Sequence, residues 1–75
     1  MILEKVIAIV AEQLGVDPSE VTEQTNLVDD LGADSLSVVD LIMSIEDEFG
    51  VQIPDDAVES LRTIDAIVQF IENNQ

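Results

Sequence analysis

Three stretches of this chain carry apolar residues at the spacing of an α-helix, and short breaks separate them. Within residues 2–14 the apolar side chains recur every three or four positions, and Gly15 follows as a natural helix end. The same spacing returns in residues 35–49, before Gly50, and again after Thr63. Because an amphipathic helix buries its apolar stripe against other helices, the chain is predicted to be all-α.

The side chains predicted to form the core share this helical spacing. They are Leu3, Val6, Ile7, Val10 and Leu14, then Val38, Leu41, Ile42, Ile45 and Phe49, then Ile64, Ile67, Val68 and Ile71. A short helix is expected over residues 55–60, started by Pro54, with Ala57, Val58 and Leu61 buried. The prediction is therefore a small bundle of three main helices plus one short helix.

Length and composition limit the chain to one aliphatic core. Its 75 residues leave room for a single domain, residues 1–75, and a hydrophobic content of 47% is too high for disorder. With two Phe and neither Tyr nor Trp, the core must be built from branched aliphatic side chains. The chain has no Cys, so it contains no disulfide framework.

A long loop is expected between the first two main helices, over residues 16–34. It begins with Asp17-Pro18-Ser19-Glu20, which reads as a single capped turn. Its apolar anchors to the core are predicted to be Val21, Leu27, Val28 and Leu31. Loops of this length are often functional.

This loop ends at Ser35, which is the best candidate for chemistry in the chain. Asp34 is suited to cap the helix that follows, so Ser35 falls in the first helical turn. Unpaired N–H groups and the helix dipole favour an anion there, and a phosphate ester on Ser35 would be stabilised. Gly32 allows the sharp turn just upstream.

Ser35 is not expected to be a catalytic nucleophile. A nucleophilic serine needs an adjacent base, and this chain has no His and only two basic side chains, Lys5 and Arg62. No catalytic residue is therefore predicted, and Ser35 is either modified by another enzyme or simply part of a helix cap. Such caps are common, so the Asp34-Ser35 dipeptide alone favours the cap.

The outward face of the second helix mixes apolar and acidic residues. Its members are Leu36, Val39, Asp40, Met43, Glu46 and Asp47. Acids steer a basic partner while Leu36 and Met43 provide adaptable apolar contact, which suits a transient protein interface. Scattered exposed apolar residues are also normal on protein surfaces, and the helical pattern alone does not separate the two interpretations.

A net charge of −15 excludes some partners and favours others. It argues against nucleic acid, and it favours a monomer that associates with basic protein patches. No apolar run is long enough to span a membrane, and no secretory signal is present, so a cytoplasmic location is expected.

The acidic stretch that starts at Asp29 does not match the pattern of a calcium-binding loop, because Leu31 and Ala33 occupy positions where that pattern requires ligands. No dedicated metal site is predicted, although weak divalent binding to acidic faces stays open.

Four segments together resemble an acyl carrier protein of dissociated, type II fatty acid synthesis. The Asp-Ser-Leu motif is weak alone, but its spacing to the other three segments makes the resemblance specific, and it extends over essentially the whole chain. The segments are Leu31-Gly32-Ala33-Asp34-Ser35-Leu36, Leu41-Ile42-Met43, Glu46-Asp47-Glu48-Phe49-Gly50 and Val51-Gln52-Ile53-Pro54-Asp55-Asp56.

The resemblance implies that Ser35, flanked by the motif residues Asp34 and Leu36, carries 4′-phosphopantetheine through a phosphodiester. A phosphopantetheinyl transferase (holo-acyl-carrier-protein synthase) would place it there from coenzyme A. The cofactor thiol would supply the sulfur that the chain lacks, and acyl groups would be held on it as thioesters. The carrier itself would not catalyse, since fatty acid synthesis enzymes with basic docking patches would do so.

The resemblance also implies a partner surface and reveals two departures. The matching partner-recognition residues are Asp40, Met43, Glu46 and Asp47 on the second helix, with Ile53 and Asp55 on the side of the third. Ser37 occupies a position where many members of the family have an acidic residue. Arg62 occupies a position where many of them have a neutral residue. Both departures bear on which partners bind best.

Two alternatives remain open from the sequence. One is a specialised carrier of the same superfamily, serving a polyketide, aminoacyl or D-alanyl pathway. The other is an acidic adaptor that uses the outward face without any modification. Replacing Ser35 with Ala would abolish a carrier's function and spare an adaptor's.

Overall fold

The apolar stripes form helices where their spacing predicts them. A computed structural model, which describes residues 2–74, contains four α-helices and a single 3-10 turn. They are α1 (Ile2–Leu14), the 3-10 turn (Pro18–Glu20), α2 (Ser35–Phe49), α3 (Asp55–Val58) and α4 (Ile64–Asn73). The all-α prediction is confirmed. The first and last residues of the expected 1–75 domain lie outside the described part.

The helices begin and end through local backbone and side-chain hydrogen bonds. After α1, Gly15 adopts a φ of 68°, and the Val16 N–H donates to the Ala11 carbonyl at 3.0 Å. This left-handed conformation is one that glycine adopts without steric cost. At the start of α4, the Thr63 hydroxyl accepts the Ala66 N–H at 3.2 Å, as the sequence predicts for a cap.

The core lies where α1 packs against α4 and α2, and it is aliphatic as predicted. Both Phe side chains are only half-buried and pack against its edge. Leu3, Ile7, Leu14 and Val68, expected inside, are also half-buried. The buried cluster consists of Val6, Val10, Val21, Leu27, Ala33, Val38, Leu41, Ile42, Ile45, Val51, Ile53, Leu61, Ile64, Ile67 and Ile71.

The third helix is shorter than the sequence suggests. It ends at Val58 instead of residue 60, and the Ser60 and Leu61 N–H groups donate to carbonyls three residues back. A single helical turn cannot bury a full stripe, so Ala57 and Val58 are half-buried and only Leu61 is buried. The chain therefore leaves an open space beside the end of α3.

The long loop is tied by backbone hydrogen bonds to the segment just before α4, an arrangement that the sequence did not predict. The Leu27 N–H donates to the Arg62 carbonyl at 2.7 Å, and Asn26 forms an isolated antiparallel bridge with Thr63. The Ile64 N–H donates to the Thr25 carbonyl at 3.2 Å. Since buried backbone groups need partners, these bonds give the loop a defined conformation.

The loop's predicted anchors divide into two classes. Val21 and Leu27 are buried, whereas Val28 and Leu31 are half-buried. The predicted turn at its start is confirmed, because the Asp17 carboxylate accepts the Ser19 N–H at 2.9 Å. Within residues 2–74, no helix has the length and apolar character needed to cross a membrane.

Candidate functional site

Ser35 is the first residue of α2, and its side chain is exposed. Two backbone hydrogen bonds fix the chain that leads to it. The Gly32 N–H donates to the Val28 carbonyl at 3.0 Å, and the Ala33 N–H donates to the Leu27 carbonyl at 2.9 Å. Gly32 has a φ of 70°, which lets the chain turn back toward the core. Ala33 is thereby buried while Ser35 stays open to solvent.

Asp34 caps α2, as the sequence predicts. Its carboxylate accepts the Ser37 N–H at 2.8 Å. This hydrogen bond from the Ser37 backbone lowers the pKa of Asp34, since it stabilises the ionised form. The carboxylate is therefore charged at neutral pH. Ser37, the departure noted in the sequence, contributes its backbone to this cap.

A cleft of about 350 Å³ opens beside Ser35. Most of its lining is apolar, and the charged side chains at its border are Asp34, Glu59 and Arg62. The apolar part comes from α2, the loop and the end of α3, namely Val28, Ala33, Val38, Val39 and Val58. An apolar cleft with a few polar groups at its border is typical of small-molecule sites.

Arg62 borders this cleft with its charge available. Across the described residues, the ion pair within 4.0 Å is that between Lys5 and Glu48, at 3.9 Å. The Arg62 Nε–H instead donates to the neutral carbonyl of Glu59 at 3.1 Å. The cleft thus combines an apolar wall, an exposed hydroxyl and a guanidinium.

The outward face of α2 is exposed, as the helical pattern predicts. Leu36, Met43 and Val39 are 69%, 57% and 46% exposed, and Asp40 and Asp47 lie on the surface beside them. Asp55 is exposed at the start of α3. Leu36 belongs to this face and does not line the cleft, although it follows Ser35 directly. Successive helical residues point about 100° apart, which separates the two side chains.

Two residues that the resemblance assigns to the partner surface also take part in the packing of the fold. Ile53 is only 7% exposed and lies in the core. Residues 51–54 lie outside the helices, and burial alternates along them, with Val51 and Ile53 buried and the residue after each of them exposed, as in an extended segment. Glu46 is half-buried, and its carboxylate accepts the Ile53 N–H at 2.7 Å. Ile53 therefore offers little surface to a partner, and Glu46 is only partly available.

The cleft itself has no signature in the sequence. Val28, Val58 and Glu59 come from three different parts of the fold, and no local pattern joins them to Ser35. The sequence shows Arg62 only as an isolated positive charge near the third helix, with no sign that it lies in the same cleft as Ser35. No cluster of three or more His, Cys, Asp or Glu side chains placed to bind a metal occurs among residues 2–74.

The comparisons with known proteins agree with this geometry. Residues 4–71 match the family described as the phosphopantetheine attachment site. This chain belongs to that family. Its members carry groups on a covalently attached 4′-phosphopantetheine and are not themselves catalysts, so the expected cofactor is confirmed.

A solved structure extends the match to the whole fold. The chain superimposes on an acyl carrier protein from Enterococcus faecalis with a TM-score of 0.85 and 39% sequence identity. The alignment covers 99% of this chain and 94% of that one. The resemblance to acyl carrier proteins is therefore confirmed, and the chain has the fold of an acyl carrier.

The site also fits the cofactor physically. A phosphodiester needs an exposed hydroxyl at a position that favours an anion, and Ser35 meets both conditions at the first residue of α2. The cleft begins at Ser35 itself, so it offers an apolar surface next to the attachment point of a flexible, partly apolar arm.

Proposed function

We propose that this chain carries acyl groups as thioesters on 4′-phosphopantetheine attached to Ser35, and delivers them to enzymes of dissociated fatty acid synthesis. The observation that carries the proposal is the position of Ser35, which is exposed at the start of α2 and at the edge of an apolar cleft. The family match and the acyl carrier structure support the same role.

In the attachment step, the Ser35 hydroxyl is the nucleophile. Its oxygen forms a bond to the phosphorus that bears pantetheine in coenzyme A, the pyrophosphate bond breaks, and adenosine 3′,5′-bisphosphate leaves. The hydroxyl proton passes to a base on the phosphopantetheinyl transferase, because this chain has no His to accept it. Once attached, the group supplies a thiol whose thioesters acidify the α-carbon and release the thiolate readily.

The transferase and the synthesis enzymes dock, in this proposal, on the exposed face around Ser35. That docking face consists of Leu36, Asp40, Met43, Asp47 and Asp55, with the partly buried Glu46 at its edge. Its acids attract basic patches on partners and its apolar side chains pack against them. The carrier acts as a monomer, which its large net charge favours. It works in the cytoplasm alongside those enzymes.

The test is the intact mass of the protein after incubation with coenzyme A, magnesium and a broad-specificity phosphopantetheinyl transferase. One phosphopantetheine increment is expected on the wild type and none on Ser35→Ala. Ser19→Ala is a matched control, because it removes an exposed serine hydroxyl elsewhere and should leave the increment intact.

Absence of the increment on folded wild-type protein would refute the carrier proposal. Ser35 would then only be part of a helix cap, and the docking face would be that of an adaptor. An increment that persists in Ser35→Ala would place the cofactor on another residue. After a positive result, mass analysis of the protein isolated from its source cells would identify the acyl cargo.

A further inference from the structure

Arg62 is the one positively charged residue among those that line the cleft beside Ser35. The chain has only two basic side chains in all, against 17 acidic ones. The other, Lys5, lies on α1 and pairs with Glu48. Arg62 therefore brings a positive charge to the cleft that begins at the candidate attachment residue.

The backbone fixes Arg62 relative to Ser35 through one shared residue. The N–H of Leu27 donates to the Arg62 carbonyl at 2.7 Å, and the carbonyl of Leu27 accepts the Ala33 N–H at 2.9 Å. Leu27 is fully buried, so this connection is anchored in the core. The segment carrying Arg62 is thus tied to the chain two residues before Ser35.

The Arg62 side chain is free to take a ligand. It is exposed, and its Nε–H makes one hydrogen bond, at 3.1 Å, to the carbonyl of Glu59. A guanidinium carries five N–H donors, and its planar fork matches two oxygens of a phosphate. Its other nitrogens remain available for such a contact.

The start of α2 favours an anion, but the carboxylates around the cleft repel a phosphodiester on Ser35. It adds a negative charge beside Asp34 and Glu59, which border the same cleft, in a chain whose net charge is already −15. Like charges at close range repel, and the positive charge of Arg62 at the border of the same cleft offsets the repulsion.

Resting on the proposed attachment at Ser35, we propose that Arg62 binds the phosphodiester that joins the prosthetic arm to Ser35, and so retains the start of the arm in the cleft. The arm of this carrier is then less mobile near its attachment point than further along. Added salt weakens the contact, since exposed charge pairs are screened.

The test uses protein converted fully to the modified form, verified by intact mass. Phosphorus NMR of the phosphodiester is recorded for the wild type, for Arg62→Gln and for Lys5→Gln as salt is raised. Both variants remove one positive charge from an exposed side chain, and neither removes the backbone bonds of Arg62, so folding is retained. Only Arg62→Gln is expected to shift the phosphorus resonance, narrow it and abolish its salt dependence.

A second readout is the change in melting temperature that modification produces. Relative to each unmodified form, modification should lower the melting temperature of Arg62→Gln by about 2–4 °C more than that of Lys5→Gln. Identical phosphorus spectra for wild type and Arg62→Gln would overturn the proposal, as would equal changes in both variants. A missing mass increment on the wild type would instead refute attachment at Ser35, so the two failures are distinguishable.

Discussion

The two faces of α2 are both rich in apolar residues, yet their surroundings differ completely. On the inner face, Leu41 and Ile45 are 0% exposed, while on the outer face Leu36 and Met43 are 69% and 57% exposed. The inner residues belong to the buried cluster formed where α2 packs against α1, whereas acids surround the outer ones. The comparison teaches that apolar character alone does not identify a core face, and that the neighbouring carboxylates mark the face left for partners.

Truncating one residue on each face should give the largest contrast. Leu41→Ala leaves a cavity and should lower the free energy of unfolding by about 3 kcal/mol. Met43→Ala should change it by less than about 0.5 kcal/mol, since its side chain is exposed. Urea unfolding followed by circular dichroism measures both. Similar losses would mean that Met43 is packed in solution and that the two faces are not distinct.

A larger side chain on the inner face of α2 tests whether the core there also accepts an acyl chain. Ile45→Phe should lower the stability of the unloaded protein by about 1–3 kcal/mol, because the core is overfilled. If an acyl chain enters the aliphatic core, the protein loaded with a long chain should lose more stability than the unloaded one. Leu36→Phe, on the outer face, is the control and should affect both forms equally. An equal loss in the two forms of Ile45→Phe would exclude the core as the cargo site.

Charge reversal tests the outer face as a docking surface. Asp40→Lys should lower kcat/KM for modification by the transferase roughly five- to tenfold at low salt, through slower association. Glu12→Lys makes the same charge change at an exposed position of α1 and should have little effect. Raising the salt concentration should shrink the difference. Equal effects of the two variants would show that only net charge matters.

The smallest effect is expected from the cap where the two faces begin. Because folding lowers the pKa of Asp34, its carboxylate stabilises the folded form above the ordinary aspartate pKa of about 3.9. This contribution disappears as pH falls through the lowered pKa. The advantage of wild type over Asp34→Asn in melting temperature should therefore be present at neutral pH and vanish in acid.

Asp47→Asn is the control for that measurement, since Asp47 lies on the same helix and caps nothing. Its difference from wild type should not follow the same pH profile. If the two variants behave alike from neutral to acid pH, the negative charge of Asp34 beside the Ser37 N–H does not contribute to the stability of the α2 terminus.

Local rules were sufficient for the helices and for Ser35. Helical spacing placed the boundaries of α1 and α2, and capping chemistry placed Asp34 and Thr63, because these features depend only on residues within one or two turns. Ser35 follows from the same rules, since a residue after an N-cap must lie in the first turn. The exposed acids beside Met43 follow from the helical wheel.

Local rules were insufficient where residues distant in the chain meet. The resemblance assigned Ile53 to the partner side, but burial alternates along its non-helical segment and leaves Ile53 inside. Glu46 was expected to be open, but its carboxylate accepts a hydrogen bond from the backbone seven residues later. The alternation of apolar and polar residues at Val51, Gln52 and Ile53 is the sequence signal for the burial of Ile53.

The printed sequence was enough to predict a small aliphatic helical bundle that presents a serine at a helix start, because spacing, caps and composition act over short distances. The packing of the segments decided that a cleft forms beside Ser35 and that Arg62 lies at its border. A loop carbonyl and a loop N–H, both of Leu27, connect Arg62 to the chain leading to Ser35. Contacts of this kind depend on how the segments pack, and no run of neighbouring residues encodes them.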